Sequence, residues 1–326
     1  TLDGGAGGFN YLSGGAGNDT FILRDHSGDG VITASEYAGL HGGSGTDTLS
    51  VSTANAILDL SGLGAGQITG MEAINLGGAN NRLILDQASL TSLGHSAAIA
   101  VSGDANDAVE LRGEHWTYDG SVAGSSVYHD TSGHTVAISE SMKVELHGGD
   151  TGENLVGGLE STHIYGGIGN DTLDGGLGGL NYLSGGDGDD LFILRGPSGG
   201  GSIDATLYSG LHGGNGTDVL HLEGDGLTLD LTAFTPVSGF ESIELGGGAN
   251  NVLKIDMEGF ARAAAGDTLI VSGNGDSSLY LEDLPGSWTP GATQTINSIT
   301  YIEYTALHDS TTLHLLVQQE ILRYGG

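Results

Sequence analysis

Short apolar runs alternate with glycine-rich turns along much of the chain. Between residues 148 and 194, Gly-Gly pairs begin at positions 148, 157, 166, 175 and 185, so the steps are nine, nine, nine and ten residues. Each turn of about six residues precedes a three-residue run with an apolar middle position, as in Thr172-Leu173-Asp174. Because side chains alternate between the two faces of a strand, this pattern predicts minimal strands with one inward-facing side chain each.

Outside these blocks, the apolar pattern predicts further short strands, two helices and two hairpins. The strands are predicted at Ala56–Leu60, Ala73–Leu76, Arg82–Asp86, Ala98–Val101 and Ala108–Leu111. The helices are predicted at Gln87–Leu93 and Met257–Ala265. The hairpins are predicted to pair Ser126–His129 with Thr135–Ile138, and Tyr301–Leu307 with Leu313–Val317. Short strands with regular Gly, Asn and Asp punctuation favour an all-β solenoid over a sandwich.

The chain contains one module twice. Thr1–Leu23 (TLDGGAGGFNYLSGGAGNDTFIL) matches Thr172–Leu194 (TLDGGLGGLNYLSGGDGDDLFIL) at an offset of 171 residues, and Gly39–Val51 matches Gly210–Leu222 at the same offset. We therefore expect a tandem array with the modules at residues 1–171, including a junction at 147–171, and 172–326. Each module is predicted to close with a hairpin. Since the chain starts and stops within motifs, we expect it to be a segment of a longer protein.

Five turns follow the pattern G-G-x-G-x-D, with aspartate in the sixth position. The glycines let the backbone take positive φ and approach an ion closely, and carbonyl oxygens with a carboxylate are the hard ligands that Ca²⁺ prefers. Turns two units apart should stack, so the turns at 148, 166 and 185 are expected on one edge and those at 157 and 175 on the other. The predicted ligands are Asp19, Asp47, Asp171, Asp190 and Asp218, with Gly15, Gly17, Gly43, Gly45, Gly167, Gly169, Gly186, Gly188, Gly214 and Gly216.

A different calcium motif begins at Asp25. The run DHSGDGVITASE has oxygen-bearing side chains at loop positions one, three, five, nine and twelve, Gly at six and an aliphatic residue at eight, as in an EF-hand loop. The predicted ligands are the side chains of Asp25, Ser27, Asp29 and Glu36, the carbonyl of Val31, and Thr33 through a water molecule. In the second module, residues 196–207 carry Gly, Gly and Leu at the positions of the three acidic residues. This site is therefore predicted in the first module only.

Other turns and polar residues are weaker candidates for calcium binding. Turns beginning at residues 4, 157 and 175 lack the sixth-position aspartate and are expected to bind weakly or not at all. Trp116 and Trp288, one in each module, are interpreted as packing residues rather than sugar-stacking platforms. Asp104 and Asp107 are interpreted first as turn-forming residues and only second as ligands. The weaker candidate ligands are Asp150, Asn154, Asp187, Asp189, Asp104 and Asp107.

Composition excludes several classes of function. The 326 residues include 41 acidic and 8 basic side chains, a formal net charge of −33, which argues against binding to nucleic acid or to anionic membrane surfaces. Cysteine is absent, so no disulfide stabilises the chain. No apolar stretch approaches the length of a membrane span. Neither an H-E-x-x-H zinc motif nor a G-x-S-x-G elbow occurs, so the chain is not expected to be an enzyme.

The glycine-rich blocks resemble the repeats-in-toxin (RTX) family of bacterial proteins exported by type I secretion. The resemblance implies a parallel β-roll loaded with several Ca²⁺ ions, located outside the cell or on the bacterial surface. It does not imply one activity, because the family includes toxins, proteases, lipases, epimerases, surface-layer proteins and adhesins. The segments between the blocks carry little of the resemblance.

The expected function is that of a calcium-dependent structural repeat in a large secreted adhesin or extracellular fibre of a biofilm matrix. Calcium would fold the chain outside the cell, and neighbouring copies of the repeat would be its partners in a stiff rod. Two alternatives are a self-assembling filament or surface-layer subunit, and a calcium-loaded polysaccharide-binding module of a secreted enzyme. The second alternative adds cell-surface or matrix polysaccharide as a partner.

Overall fold

A computed structural model gives the fold of residues 1–5, 10–78, 80–93, 98–113, 116–197, 199–204, 206–246, 248–283 and 287–325. Regular structure in these residues is mostly β-strand, as predicted, with two seven-residue α-helices and a 3-10 turn at Ala34–Glu36. Across the described ranges, no helix has the length and apolar character needed to cross a membrane. The chain forms two compact units, Thr1–Gly148 with Val156–His163, and Gly149–Leu155 with Ile164–Gly326.

The first unit consists of three sheets in which nearly all neighbouring strands are parallel. Its elements are β1 Leu2–Asp3, β2 Asn10–Ala16, β3 Thr20–Leu23, β4 Val31–Thr33, β5 Tyr37–Ser44, β6 Thr48–Val51, β7 Ile57–Asp59, β8 Ile68–Thr69, β9 Ala73–Asn75, β10 Arg82–Leu85, α1 Gln87–Leu93, β11 Ile99–Ser102, β12 Ala108–Arg112, β13 Thr117–Val122, β14 Ser125–His129, β15 Thr135–Ser139 and β16 Lys143–His147. The strand orders are β1-β3-β6-β9-β11-β15-β14-β13, β4-β7-β10-β12-β16 and β2-β5-β8. The helix prediction for Gln87–Leu93 is confirmed.

The core of this unit is a ladder of apolar side chains in strict register. Phe21, Leu49, Ile74, Val101 and Ile138 are successive Cα partners in parallel strands, and all are buried. Burial of each such side chain contributes about 1.5–3 kcal/mol. Phe21 and Leu49 are the residues that the nonapeptide pattern predicts to face inward, and this prediction is confirmed.

The second unit repeats this plan, and β17 and β18 each run across a boundary between the units. The elements are β17 Asn154–Val156, β18 Ser161–Ile168, β19 Thr172–Asp174, β20 Asn181–Asp187, β21 Leu191–Arg195, β22 Gly201–Ile203, β23 Tyr208–Asn215, β24 Val219–Glu223, β25 Leu227–Asp230, β26 Val237–Ser238, β27 Ser242–Glu244, β28 Val252–Ile255, α2 Met257–Ala263, β29 Thr268–Ser272, β30 Ser278–Leu281, β31 Thr289–Ile296, β32 Ile299–His308, β33 Thr311–Gln318 and β34 Leu322–Gly325. The strand orders are β17-β19-β21-β24-β27-β29-β33-β32-β31, β22-β25-β28-β30-β34 and β18-β20-β23-β26. Leu173, Phe192, Leu220, Ile243 and Val271 form the matching buried ladder.

Helix α2 is two residues shorter than predicted. Asp256 caps its N-terminus, accepting the backbone N–H of Gly259 at 2.6 Å. At the other end Ala264 has an extended backbone, with ψ of 142°, and pairs with Phe240 in an isolated parallel bridge. Alanine favours helix in isolation, so the prediction ran on through Ala265. The pairing with Phe240 overrides that local preference.

Both predicted hairpins are confirmed, and each gains a third strand. β14 pairs with β15, and β32 with β33, in antiparallel register. The additional antiparallel strands are β13 beside β14 and β31 beside β32. Nearly every residue of β31 is exposed, so that strand has no apolar face and gives no alternation for sequence analysis to detect.

Candidate metal centre

The glycine-rich turns stack on one another within each unit; each is named below by the number of its first glycine. In the first unit the 14 turn pairs with the 42 turn, Gly15 opposite Gly43. In the second unit the backbone N–H of Ile168 donates to the carbonyl of Gly149 at 3.0 Å, and that of Gly169 to the carbonyl of Asp187 at 2.7 Å. The 148, 166 and 185 turns therefore lie in one stack, as expected, and the 213 turn extends it.

The chain length between stacked turns is not constant. The stack advances by 18 and 19 residues from the 148 turn to the 166 and 185 turns, but by 28 residues from 14 to 42 and from 185 to 213. The additional residues follow β3 and β21, in segments 24–36 and 196–207. The nine-residue step therefore describes the 148–185 region, whereas the other steps contain insertions that leave the strand register intact.

Where a turn packs on a preceding turn of its stack, the backbones approach so closely that the second and fourth positions of the 42, 185 and 213 turns admit only glycine. Gly43 has φ of +108° and Gly186 has φ of +112°, a region that favours glycine. A Cβ at Gly43 would overlap the carbonyl oxygen of Gly15, and one at Gly186 would overlap that of Gly167. The carbonyl oxygens of one turn thus point at the backbone of the next. The other predicted ligand glycines share the positive φ: Gly15, Gly17, Gly45, Gly167, Gly169, Gly188, Gly214 and Gly216.

The sixth-position aspartates form a ladder of side-chain to backbone hydrogen bonds. The backbone N–H of Asp171 donates to Oδ1 of Asp190 at 2.8 Å, and that of Asp190 donates to Oδ1 of Asp218 at 2.9 Å. In the first unit the N–H of Asp19 donates to Oδ1 of Asp47 at 2.8 Å. Asp47, Asp171, Asp190 and Asp218 therefore each use one carboxylate oxygen to hold the preceding turn of the stack.

The second carboxylate oxygen of these aspartates is buried without a donor. Oδ2 of Asp47, Asp171, Asp190 and Asp218 has no hydrogen-bond partner, and each of these residues is at most 1 % exposed. A buried acceptor left unsatisfied costs about 1–3 kcal/mol, and more when it is charged. Asp19, at the first turn of its stack, is 20 % exposed and lies 3.9 Å from the amino group of Thr1.

Each Oδ2 faces a carbonyl oxygen of the next turn across a space that we call the inter-turn gap. A Cβ built on Gly14 would lie 2.6 Å from Oδ2 of Asp19 and 2.7 Å from the carbonyl oxygen of Gly42. The first glycines of the 42, 166, 185 and 213 turns have the same two kinds of neighbour. A carboxylate oxygen that has no donor and lies beside a carbonyl oxygen is repelled by it unless a cation or a proton lies between them. Carboxylate and carbonyl oxygens fit a hard divalent cation such as Ca²⁺.

In the second unit, burial makes the carboxylates of Asp171, Asp190 and Asp218 difficult to ionise in the absence of a cation. Burial raises the pKa of Asp171 to about 7, and the neighbouring Asp190 and Glu153 carboxylates add to the effect. Burial also raises the pKa of Asp190 and of Asp218 to about 6. A bound divalent cation would favour the ionised form, because an opposite charge at close range stabilises a carboxylate.

The fifth-position side chains form a second ladder that the sequence analysis missed. Oδ1 of Asn18 accepts the backbone N–H of Thr46 at 3.0 Å, and Oδ1 of Asp189 accepts that of Thr217 at 2.8 Å. The sequence feature that could have predicted this ladder is the recurrence of Asn, Asp or Thr at the fifth motif position. Of the weaker candidate ligands, Asp189 is thus engaged between turns, and Asp187 accepts the side-chain amide of Asn215 at 2.7 Å. Asp150 and Asn154 are exposed.

The EF-hand-like segment closes into a compact loop after β3. The two carboxylate oxygens of Asp25 accept the backbone N–H groups of Gly28 and Gly30, each at 2.7 Å, and these bonds lower the pKa of Asp25. Oε2 of Glu36 accepts the backbone N–H of His26 at 3.2 Å, so Glu36 returns to the start of the loop. Of the other predicted ligands, Ser27 and Asp29 are exposed, whereas Val31 and Thr33 lie in β4 and are half-buried.

Asp107 and the two tryptophans have structural partners. Oδ1 of Asp107 accepts the backbone N–H of Asn81, and Oδ2 accepts that of Asp104, both at 2.8 Å. Both oxygens are thus used in holding the chain. Trp116 is fully buried and Trp288 is 3 % exposed, so neither indole ring offers a face to a sugar.

A further group of ligand-type side chains lies in the first unit. Glu110, Glu145 and His147 place one ligand atom each within 4.8 Å of one another. Arg82 bonds to both carboxylates, and Arg112 bonds to Glu110. The two guanidinium groups balance the two carboxylate charges, so this cluster lacks the excess negative charge of the aspartate ladder.

No protein-family model matches the sequence, and a search of curated proteins finds no match. Any functional assignment therefore depends on the motifs and on the geometry of the stacked turns.

Proposed function

We propose that the chain is a calcium-dependent structural repeat of a large secreted RTX-type protein, an adhesin or extracellular fibre. In this proposal the parallel sheets form a β-roll whose stacked turns hold Ca²⁺ in the inter-turn gaps between complete G-G-x-G-x-D turns. The observation that carries the proposal is the ladder of buried aspartates, in which one oxygen of each carboxylate holds a neighbouring turn. The other oxygen of Asp171, Asp190 and Asp218 faces a carbonyl without a donor.

The proposed mechanism couples folding to cation binding. Without a divalent cation, the stacked carboxylate and carbonyl oxygens repel one another, and the chain stays expanded in a form suited to export. Extracellular calcium modules have Kd values of about 10⁻⁴–10⁻³ M, so calcium would bind outside the cell and not in the cytosol. Because the binding site exists only in the folded chain, the free energy of calcium binding becomes free energy of folding.

The charge of the chain supports the same mechanism. A formal net charge of −33 on 326 residues opposes compaction through self-repulsion. Divalent cations in the gaps reduce that repulsion where carboxylates are most concentrated. Copies of the module joined in tandem would then form a stiff, rod-like spacer, since each repeat in such an array contacts its neighbours.

Calcium titration of the full chain tests this proposal. Far-ultraviolet circular dichroism is expected to show a cooperative gain of β signal as calcium rises into the millimolar range, reversed by a chelator. Magnesium at the same concentration is the matched control, because Mg²⁺ requires near-ideal octahedral geometry and gives up its water reluctantly. Sedimentation in the same samples distinguishes a monomeric spacer from a filament or surface-layer subunit. A chain equally ordered in chelator and in calcium would contradict the proposal.

A further inference from the structure

Each stack of turns ends in a shorter turn that the calcium motif does not describe. In the first unit, Gly70-Met71-Glu72 precedes β9, and in the second, Gly239-Phe240-Glu241 precedes β27. In the G-G-x-G-x-D motif the acidic residue lies five positions after the first glycine, whereas in these turns it lies two positions after a glycine. The two turns lie at equivalent places in the two modules, so the feature belongs to the repeated module.

The glutamates of these turns continue the aspartate ladder. Oε2 of Glu241 accepts the backbone N–H of Asp218 at 2.6 Å. In the same way, Oδ1 of Asp218 accepts the backbone N–H of Asp190. Oε2 of Glu72 accepts the N–H of Asp47 at the same distance. A glutamate has one more methylene than an aspartate, and this additional length compensates for the shorter turn.

The carbonyl oxygens of the short turns lie beside the first glycine of the neighbouring turn, as those of the longer turns do. A Cβ on Gly213 would meet the carbonyl oxygen of Gly239 and would lie 2.5 Å from Oδ2 of Asp218. A Cβ on Gly42 would meet the carbonyl oxygen of Gly70 and Oδ2 of Asp47 in the same way.

One aspartate oxygen in each of these two end gaps is buried and lacks a donor. Asp47 and Asp218 are both 0 % exposed, and their Oδ2 atoms have no hydrogen-bond partner. Each end gap thus contains a buried carboxylate oxygen without a donor, a carbonyl oxygen and a second carboxylate. This is the donor set of the inner gaps, with glutamate in place of aspartate.

We propose that Glu72 and Glu241 each complete an additional site for a hard divalent cation at the end of a stack. The inference rests on the proposed function in that the same ion, Ca²⁺, fills the inner gaps. Each unit then binds one more ion than the gaps between its complete G-G-x-G-x-D turns provide. A glutamate that only caps the backbone N–H of the preceding aspartate would leave the ion count unchanged, so the count decides between the two roles.

The test compares calcium stoichiometry in the full chain by native mass spectrometry and isothermal titration calorimetry. Glu241→Gln and Glu72→Gln keep an oxygen for the backbone N–H but remove the charge, and Glu320→Gln removes the charge of an exposed glutamate as a control. Each test variant is expected to lose one ion, or to bind one ion at least about tenfold more weakly. The double variant is expected to lose two, and the control none.

Glu241→Asp tests whether the length of the side chain matters in addition to its charge. Aspartate keeps the charge but is too short for this turn, so the same single ion is expected to be lost or weakened. If Glu241→Gln does not fold in excess calcium, the count is taken from Glu241→Asp and Glu72→Gln. An unchanged count and affinity in the folded variants would overturn the inference while leaving the inner sites in place. If the unmodified chain bound no calcium, the proposed function itself would fail.

Discussion

The backbone N–H of Asp171 donates to Oδ1 of Asp190 at 2.8 Å, while Oδ2 of Asp190 is buried without a donor. One carboxylate thus joins two turns and leaves a charged oxygen facing the carbonyl of Gly213. In the metal-free chain the hydrogen bond stabilises the stack, whereas repulsion between Oδ2 and the carbonyl oxygen destabilises it. A cation in the gap would remove this repulsion without disturbing the hydrogen bond.

Asp190→Asn is expected to make the chain less dependent on calcium. Asparagine keeps an oxygen for the N–H of Asp171 and places an amide N–H opposite the carbonyl of Gly213. Satisfying this buried position is expected to raise the free energy of unfolding of the metal-free chain by about 1–3 kcal/mol, while calcium stabilises the variant less. Circular dichroism in chelator measures the first effect as a gain of β signal over the unmodified chain, and urea unfolding in calcium measures the second. Glu320→Gln, at an exposed carboxylate outside the stack, is the control, and equal behaviour of the two variants would argue against a cation at this gap.

The metal-free fold is expected to become less stable as the pH rises from about 4 to about 7. Burial raises the pKa of Asp171 to about 7 and the pKa of Asp190 and Asp218 to about 6, from an ordinary value of 3.8. A raised pKa means that the folded state binds more protons than the unfolded state. The stabilisation is therefore complete below the unfolded pKa and is lost as the pH rises through the folded pKa. Circular dichroism in chelator across this range measures the effect as a loss of β signal.

Calcium affinity is expected to change with pH in the opposite sense. Ca²⁺ and protons compete for the same carboxylates, so affinity should increase as the pH rises through about 6 to 7. Calorimetric titration at several pH values measures this dependence. A triple variant with asparagine at positions 171, 190 and 218 should flatten both pH profiles, and profiles that persist unchanged in it would show that other groups are responsible.

Gly186→Ala is expected to destabilise the second unit by about 1–3 kcal/mol or more. The residue has φ of +112°, which strains alanine, and the new Cβ would overlap the carbonyl oxygen of Gly167. Gly266→Ala is the control, because no atom lies within 4 Å of the Cβ position there and φ is not in the left-handed region. Thermal unfolding in excess calcium compares the two, and equal midpoints would contradict the close stacking of the turns.

Glu36→Gln is expected to weaken one calcium site in the first module and leave the others unchanged. Glu36 occupies the twelfth position of the EF-hand-like loop, where a bidentate carboxylate usually binds Ca²⁺. Asp204→Asn changes the charge of the matching segment of the second module, where the motif is absent, and serves as the control. Calorimetric stoichiometry distinguishes them, and loss of an ion in the control alone would refute the assignment.

The sequence by itself determined the features that depend on short separations. Gly186 had to adopt a tight turn and Phe192 had to face inward, because a nine-residue period with one apolar position leaves few other arrangements. The strands, both hairpins and one complete helix followed from the same local patterns. The third strands of the two hairpins, β13 and β31, did not. Strand β31 has no buried face, and α2 ended early because Ala264 pairs with Phe240.

Only the tertiary structure decided which turns meet and what their side chains do there. Residues 14 and 42 belong to neighbouring turns although 28 residues separate them, because the strands that follow each turn pair in register and the insertion lies elsewhere. The donor-free oxygen of Asp218 and the return of Glu241 to its backbone N–H are likewise properties of the stack. Local sequence fixes the conformation of a turn, whereas burial and the direction of a carboxylate depend on the turn packed against it.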